Sequence, residues 1–513
     1  MMKGKAKILS LLLALAMSAS VFAACGDNGG GSSTPSNSSG SDSSKVQTDN
    51  QEPDGNGDVV NLVWWHYGEQ PKNPDRAIAA LNEKSAKDIG ITITFNYAGD
   101  GTQQKVAMQT GATDDILFTC AWYVNYATAA QQGQLYDITD KVKNDTPELW
   151  NYIPDYVWKG SEINGRIYAV PTYKDVAASQ FWTCNKDFVF DTADAEAEFK
   201  ATGMKFSTVT PLLEKLKNYA DTNLGGKYPN DLTAPYYMNK GGIIGADMWF
   251  NAVLDSLHIG IKQGDSSNKV VSYFDDADYI EDLKTLSEWH KAGYINADCM
   301  QIDREPEFMV VGSSKVWEGG EANLEAGKNY KVAINRRCGP YATTSFVTGS
   351  MNGIFANSKH PDESLQYLQY INTNAEYRNM LAYGVEGENW KDNGDGTVTK
   401  LNSDYEPYAF AQATFFLLKP VAPAAADMYT TMKAEMEKAE LSDLLGFTLN
   451  QDSIQTEVAA CTTVFEKYMS SFMTGSFADV DASVAEMIKE LEAVGYRRVI
   501  EEAQTQVDAF LGE

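Results

Sequence analysis

The stretch from Val59 to Trp65, VVNLVWW, is a short apolar run with the character of a buried strand. Pro74 and Asp75 then open a more polar segment in which Ile78 and Leu81 face inward, which predicts a helix over 74–88. Ile91, Ile93, Phe95 and Tyr97 alternate with Thr92, Thr94 and Asn96, the two-residue period of a strand. GTQQKVAMQTG predicts a short helix closed by Gly111, DILFT a strand over 115–119, and the segment 123–132 a helix ended by Gly133. Strand and helix alternate, so the expected fold class is α/β with a largely parallel sheet. The pattern resumes after residue 176. SQFWTCN is strand-like, helices are predicted over 211–221 and 276–292, and Leu283, Leu286 and Trp289 share one face of the second. KVAINR and GSMNGIFAN read as strands between 331 and 357, after which helices dominate. One starts at Pro361 and carries Leu365, Leu368 and Ile371; another carries Val484, Met487, Ile488 and Leu491. A break at Gly495 separates these from Ile500, Ala503, Val507 and Phe510. Two α/β units and a helical return predict two lobes, with the chain crossing between them more than once.

Ahead of the first strand the pattern is different. Lys3, Lys5 and Lys7 precede an apolar run from Ile8 to Phe22 and the small residues Ala23 and Ala24, the order of an export signal. The run falls short of the ~20 apolar residues of a membrane span. Ala23, Ala24 and Cys25 resemble the bacterial lipobox, with Phe22 where Leu is usual. The resemblance implies removal of residues 1–24 as a signal peptide, a diacylglycerol on the Cys25 thiol and a further acyl chain on its amine. From Gly26 to about Asp58 the chain is Gly, Ser, Asn, Asp, Thr and Pro with few large apolar groups. Such a segment cannot bury enough surface to offset its ordering entropy, so 25–58 is expected to be a lipidated flexible linker. Paired acyl chains hold a protein stably at a membrane. The rest of the chain is therefore expected at the extracellular face of the cell membrane.

Composition narrows the partners. The 513-residue chain is 43% hydrophobic and carries a formal charge of −28. So acidic a chain is not expected to bind nucleic acid or an anionic membrane face through its general field. Besides Cys25 there are Cys120, Cys184, Cys299, Cys338 and Cys461, widely spaced and without a CxxC, so neither a disulfide framework nor a zinc knuckle is indicated. His66, His258, His290 and His360 are scattered, and no metal site or cofactor is expected. No HExxH or GxSxG occurs, and among 70 acids a carboxylate pair is uninformative. Asn393, Asp395 and Gly396 faintly resemble a calcium loop, but Lys391 and Asn402 occupy its end positions, where carboxylates belong. A hairpin turning at Asp395-Gly396 is the expected structure.

Five stretches taken together resemble a known family: GATDDILFTCAWYVNYATAAQQGQLYDIT (111–139), INGRIYAVPTYKDVA (163–177), NSKHPDESLQYLQYI (357–371), LAYGVEGENW (381–390) and LGFTLNQDSIQTEVAACTTVFEKY (445–468). They resemble the extracellular solute-binding lipoproteins of bacterial ABC importers, family 1-like, in the Firmicutes branch with an added C-terminal helical region. The likeness spans nearly all of 59–513. It implies a type II periplasmic-binding-protein-like fold, with two α/β lobes on a hinge and ligand in the interlobe cleft. It also implies delivery to a permease, no catalysis, and most often a carbohydrate ligand. The expected organisation is lobe 1 over 59–170, lobe 2 over 171–340, a return to lobe 1 over 341–400, and a helical region over 401–513 on lobe 2 and the hinge.

Candidate site residues follow from the rule that α/β sheets bind ligands outside the carboxyl ends of their strands. The first strand ends in Trp64, Trp65, His66 and Tyr67, of which alternation sends one tryptophan to the core and leaves the other for the cleft. DILFT leads into Trp122 and Tyr123, and the expected hinge YAVPTYKD carries Tyr173, Lys174 and Asp175. Aromatic planes stack on the apolar faces of sugar rings, and sugar hydroxyls need acid, amide and Arg partners. Asp114, Asp115, Arg304, Trp317 and Glu318 are candidates for these roles, and the family resemblance adds Tyr383 and Glu386 as possible cleft residues. The expected function is capture of a small-molecule ligand, an oligosaccharide in preference to a peptide, and its delivery to an ABC permease. A peptide receptor and an anchored glycoside hydrolase are the competing readings.

Overall fold

The computed structural model describes residues 59–225, 250–295, 310–313, 316–325 and 328–512. The expected signal peptide, Cys25, the linker, Cys299 and Arg304 lie outside them. Strands are numbered in chain order. The first sheet has the order β2-β1-β3-β13-β6, made of β1 (Val60–His66), β2 (Ile91–Tyr97), β3 (Ile116–Thr119), β6 (Ala169–Pro171) and β13 (Met351–Ile354). A two-residue hairpin, β4 (Glu162–Ile163) with β5 (Arg166–Ile167), precedes β6. β1 runs parallel to β2 from Val60 opposite Ile91 to His66 opposite Tyr97, and parallel to β3. The helix Asp75–Ile89 joins β1 to β2. Pro74 opens it and Gly90, at φ 70°, closes it in the left-handed conformation that glycine adopts without strain. Its Ala77 and Leu81 are buried and Ile78 only half-buried. One face of the sheet packs Leu62, Trp64, Ile93 and Ile116 against Leu365, Leu368 and Ile371 of the helix Pro361–Thr373. The other packs Leu117 and Met351 against Met108 and Tyr126.

The second sheet has the order β11-β7-β12-β16, with β7 (Ala178–Asn185), β11 (Val310–Ser313), β12 (Val332–Ala342) and β16 (Glu440–Leu441). The first sheet is largely parallel, as expected, with β13 alone of its five strands reversed; the second sheet departs from that pattern. β7 is antiparallel to both β11 and β12, and in the first sheet β13 is antiparallel to β3 and β6. Alternation of strands and helices specifies a parallel crossover only for consecutive strands joined by a helix, as in β1 to β3. β12 and β13 are instead linked across the hinge by a short segment and enter their sheets from it.

The chain passes between the first and second sheets near Thr172, near Ser350 and again after Phe410. These passages are bonded side by side: Thr172 N donates to Ser350 O at 2.9 Å, Ser350 Oγ to Phe410 O at 2.7 Å, and Phe415 N to Tyr173 O at 3.1 Å. Residues 405–418 pack on the first sheet. Asn352 Nδ2 donates to the carbonyls of Ala411 and Gln412, and the fully buried Arg378 guanidinium to those of Ala409, Ala413 and Thr414. This part of 401–513 thus lies against the first lobe. Beyond it, the helix Met428–Met436 packs Met428 and Met432 against Trp317. A hairpin of β14 (Trp390–Asp392) and β15 (Val398–Lys400) turns through Asp395-Gly396, as expected.

A further sheet, β8 (Phe250–Leu254), β9 (Ile259–Lys262) and β10 (Val270–Ser272), shares one core with the helices Gln455–Thr474, Val480–Ala493 and Tyr496–Leu511. No helix among the described residues is long and apolar enough to cross a membrane.

Candidate functional site

The carboxyl ends of β1 and β3 converge on a group of rings. Tyr67 is at its centre, with ring centroids 5.0–5.3 Å from Phe118, Trp122, Tyr123, Tyr408 and Phe410. Two members project into solvent: Trp122 is 54% exposed and Tyr408 45%. Local sequence explains the display. The helix predicted over 123–132 begins only at Tyr126, because the Asn125 side chain caps it by accepting from Thr128 N at 2.9 Å. Residues 121–124 are left as a turn, held where Thr119 Oγ1 donates to Val124 O at 2.6 Å. The Trp122 indole is oriented by its Nε1, which donates to Gly349 O at 2.7 Å beside the interlobe passage. Two glycines permit the close ring contacts. Gly68, at φ 86°, lies where a β-carbon would overlap the Tyr408 ring, and Gly101, at φ 83°, lies beneath Tyr123.

The other candidates divide. Trp64 is completely buried, its indole donating to Asn352 Oδ1 at 3.2 Å, so its ring belongs to the core. Trp65 is half-buried on the opposite face, bonded to Asp114 Oδ2 at 2.7 Å, and joins the packing around Leu117 rather than the exposed rings. The expectation that one of these two tryptophans reaches the cleft platform is corrected: the sheet is covered on both faces, so alternation sends each ring into a packed layer. His66 is buried, with Nδ1 2.8 Å from Tyr67 O. Desolvation lowers its pKa to about 4 and keeps the ring neutral. Asp115 is also buried, accepting from Val63 N at 2.9 Å and Ser358 Oγ at 2.7 Å, and it ties strand starts together. Tyr173 is buried against Phe416, its ring centroid 4.7 Å away, which makes it part of the hinge packing. Tyr383 is buried and donates to Lys419 O at 2.8 Å, while Glu386 is exposed on the adjoining turn; neither meets the ring group. Lys174 and Asp175 form an ion pair just after Tyr173. The Cys120 thiol lies under the platform, and burial pushes its pKa up to about 12, so it stays protonated.

A polar group occupies the second sheet near the hinge. Glu318, exposed, pairs with Arg336 at 3.3 Å, and Arg336 also bonds Ser179 Oγ at 2.6 Å and the buried Glu435 at 2.5 Å. Its guanidinium lies 4.8 Å from the Phe181 ring centroid. Burial raises the Glu435 pKa, but the Arg336 and Ser179 bonds outweigh it and leave the carboxyl below its ordinary value. Beside Glu318, Trp317 is buried and its indole N–H has no partner among the described residues. Sequence reasoning missed Tyr408, Phe410, Arg336 and Glu435. The signal for the first two was the density of aromatics in YEPYAF (405–410). Arg336 and Glu435 are far apart in sequence and offered no comparable signal. Among the described residues no group of three or more His, Cys, Asp or Glu side chains is arranged to hold a metal ion.

A carbohydrate ABC transporter substrate-binding protein of Streptococcus pneumoniae serotype 4 is 27% identical over 478 residues, covering 89% of this chain and 92% of that protein. The crystal structure of the N-glycan transport solute binding protein NgtS from Streptococcus pneumoniae superposes with a TM-score of 0.77 at 24% identity, over 88% of this chain and 99% of its own. Its complexes with Man5GlcNAc and Man1GlcNAc give TM-scores of 0.70 at 25% identity and 0.71 at 24%, over 88% of this chain and 99% and 100% of theirs. A domain of unknown function (DUF3502) matches residues 443–512. The model of the bacterial extracellular solute-binding proteins matches residues 69–378, more than half of the chain, and this protein is a member of that family of two-lobed binding proteins.

Proposed function

We propose that the chain is a lipid-anchored receptor that captures an oligosaccharide between its lobes and delivers it to the permease of an ABC importer. The observation that carries this reading is the ring group at the carboxyl ends of β1 and β3. Trp122 and Tyr408 offer open aromatic faces on a base of Tyr67, Phe118 and Phe410. Such faces suit the apolar C–H surfaces of sugar rings. Glu318 and Arg336, with Lys174 and Asp175 at the hinge, supply charged groups for hydroxyls, and Trp65 and Asp114 serve as supports beside them. The relative's description as a carbohydrate transporter component and the glycan complexes of NgtS favour the same ligand class. The division into lobes at 59–170 with 341–400, and 171–340 with 401–513 apart from residues 405–418 on the first sheet, is part of this reading, as is anchoring through Cys25. The test is a thermal-shift screen of the mature protein against oligosaccharides and peptides. A ligand at 100 times its Kd adds ~2.7 kcal/mol of stability. Stabilisation by oligosaccharides is the expected result, and stabilisation by peptides alone overturns the reading.

A further inference from the structure

A second concavity lies between the three-stranded sheet and the edge of the second sheet, with a volume of about 230 Å³. Its walls include Gln263 and Asn268 from the turn between β9 and β10, Tyr341 at the end of β12, Glu440 and Leu441 of β16, and Asp443. The polar side chains among these six have no hydrogen-bond or ion-pair partner among the described residues. Leu441 is 49% exposed. A hole of this size is slightly below the ~300 Å³ of small drug-sized pockets and suits a single small ring. Amide, carboxylate and phenol groups left unpaired around an exposed leucine and a tyrosine ring form the mixed surface a sugar unit requires. Its hydroxyls pair with the polar groups while its C–H face covers the apolar ones.

One short helix connects the concavity to the residue that orients Trp122. Thr343 lines the concavity and also caps the helix Thr344–Val347, accepting from Phe346 N at 3.4 Å. That single helical turn rises ~6 Å. Just past its end, Gly349 O holds the Trp122 indole. We propose that this concavity is a distal subsite for one unit of an oligosaccharide whose remainder lies on the platform. The proposal rests on the oligosaccharide reading above.

The test uses the mature protein and calorimetric titration with Man1GlcNAc and Man5GlcNAc as short and long probes, together with an array of glycans of other compositions and graded lengths. The variant Tyr341→Phe/Glu440→Gln/Asp443→Asn removes the polar groups at nearly constant volume. A second variant, Leu441→Ser, changes one exposed side chain and decides the matter if the first does not fold. Wild type is expected to bind long chains about tenfold tighter than short ones, and either variant to lose most of that advantage while short-chain affinity stays unchanged. Trp122→Ala is expected to weaken both lengths. Variants that bind long chains as wild type does, or that lose affinity equally at both lengths, overturn the subsite and leave the oligosaccharide reading standing. A wild-type protein that binds no glycan on the array overturns both.

Discussion

Truncation of Trp122 separates a binding ring from a packing ring. Its ring is 54% exposed, touches Tyr67 edge-on at 5.3 Å, and makes one hydrogen bond, to Gly349 O. Complete burial of a tryptophan makes truncation to alanine cost about 3–5 kcal/mol. With half the ring in solvent, Trp122→Ala is expected to cost about 2 kcal/mol of stability, a modest fall in Tm. Its effect on binding is expected to be larger in proportion. An aromatic anchor in a site costs about 2 kcal/mol or more on truncation, a loss of affinity of about 30-fold. Trp64→Ala is the control. That ring is wholly buried and bonded to Asn352, so its loss is expected to cost about 3–5 kcal/mol and to leave affinity unchanged in the fraction that folds. Calorimetric titration beside thermal melts of the two variants decides the matter. A Trp122→Ala protein that binds as tightly as wild type while melting lower refutes the platform.

Three further outcomes are expected. Saturating ligand reduces the radius of gyration in solution scattering, because hinged lobes close on ligand. An unchanged curve counts against closure. Cys25→Ser leaves the protein unlipidated, and it is released or unprocessed; a membrane-bound Cys25→Ser protein of intact mature mass removes the anchor. His66 and His258 are held neutral by burial, with pKa values lowered to about 4 from 6.5. The unfolded chain takes up their protons first, so the stability each contributes is complete above pH 6.5 and is lost as pH falls toward 4, roughly 3 kcal/mol apiece. Ring resonances that titrate near pH 6.5 in the folded protein contradict this.

The sequence made the local elements readable wherever a strong period coincided with one structural role. β2 falls on the predicted 91–97, and Leu283, Leu286 and Trp289 are all buried as their spacing implied, Leu283 in one core and the other two in a second. Strand direction in the second sheet was hidden, because alternation in SQFWTCN reports burial and not which neighbour pairs with it or from which end. The ring group was legible at Trp122 and Tyr123, which follow a strand and precede a helix cap. It was misread at Trp64 and Trp65, where a strand end looked like a cleft edge although helices cover both faces. The Tyr408 and Phe410 contribution depends on the chain returning nearly 300 residues after Tyr123. Their placement rests on Arg378 and Asn352 bonding to the backbone of the returning segment, a long-range arrangement with no local period.

The C-terminal helices raise the same issue at larger scale. Their apolar stripes require a partner, and the partner is the segment 250–283 with its three-stranded sheet. Tyr496 OH donates to Leu257 O at 2.8 Å and lies 3.0 Å from Ser272 Oγ, and Phe465 stacks on His258 with centroids 5.2 Å apart. Gly475, at φ 72°, ends the helix Gln455–Thr474 where a β-carbon would overlap the carbonyl of Leu286, so this helix end meets the backbone of Ala277–Lys291 directly. Residues 250–283 and 444–507 therefore share one hydrophobic core, and each segment without the other would expose its apolar face to water. The region matching the domain of unknown function thus shares its core with the three-stranded sheet of β8, β9 and β10. The same core backs β9 and β10, while Leu444 follows β16 closely into it. Both walls of the small concavity are in this way fixed to elements that share this core.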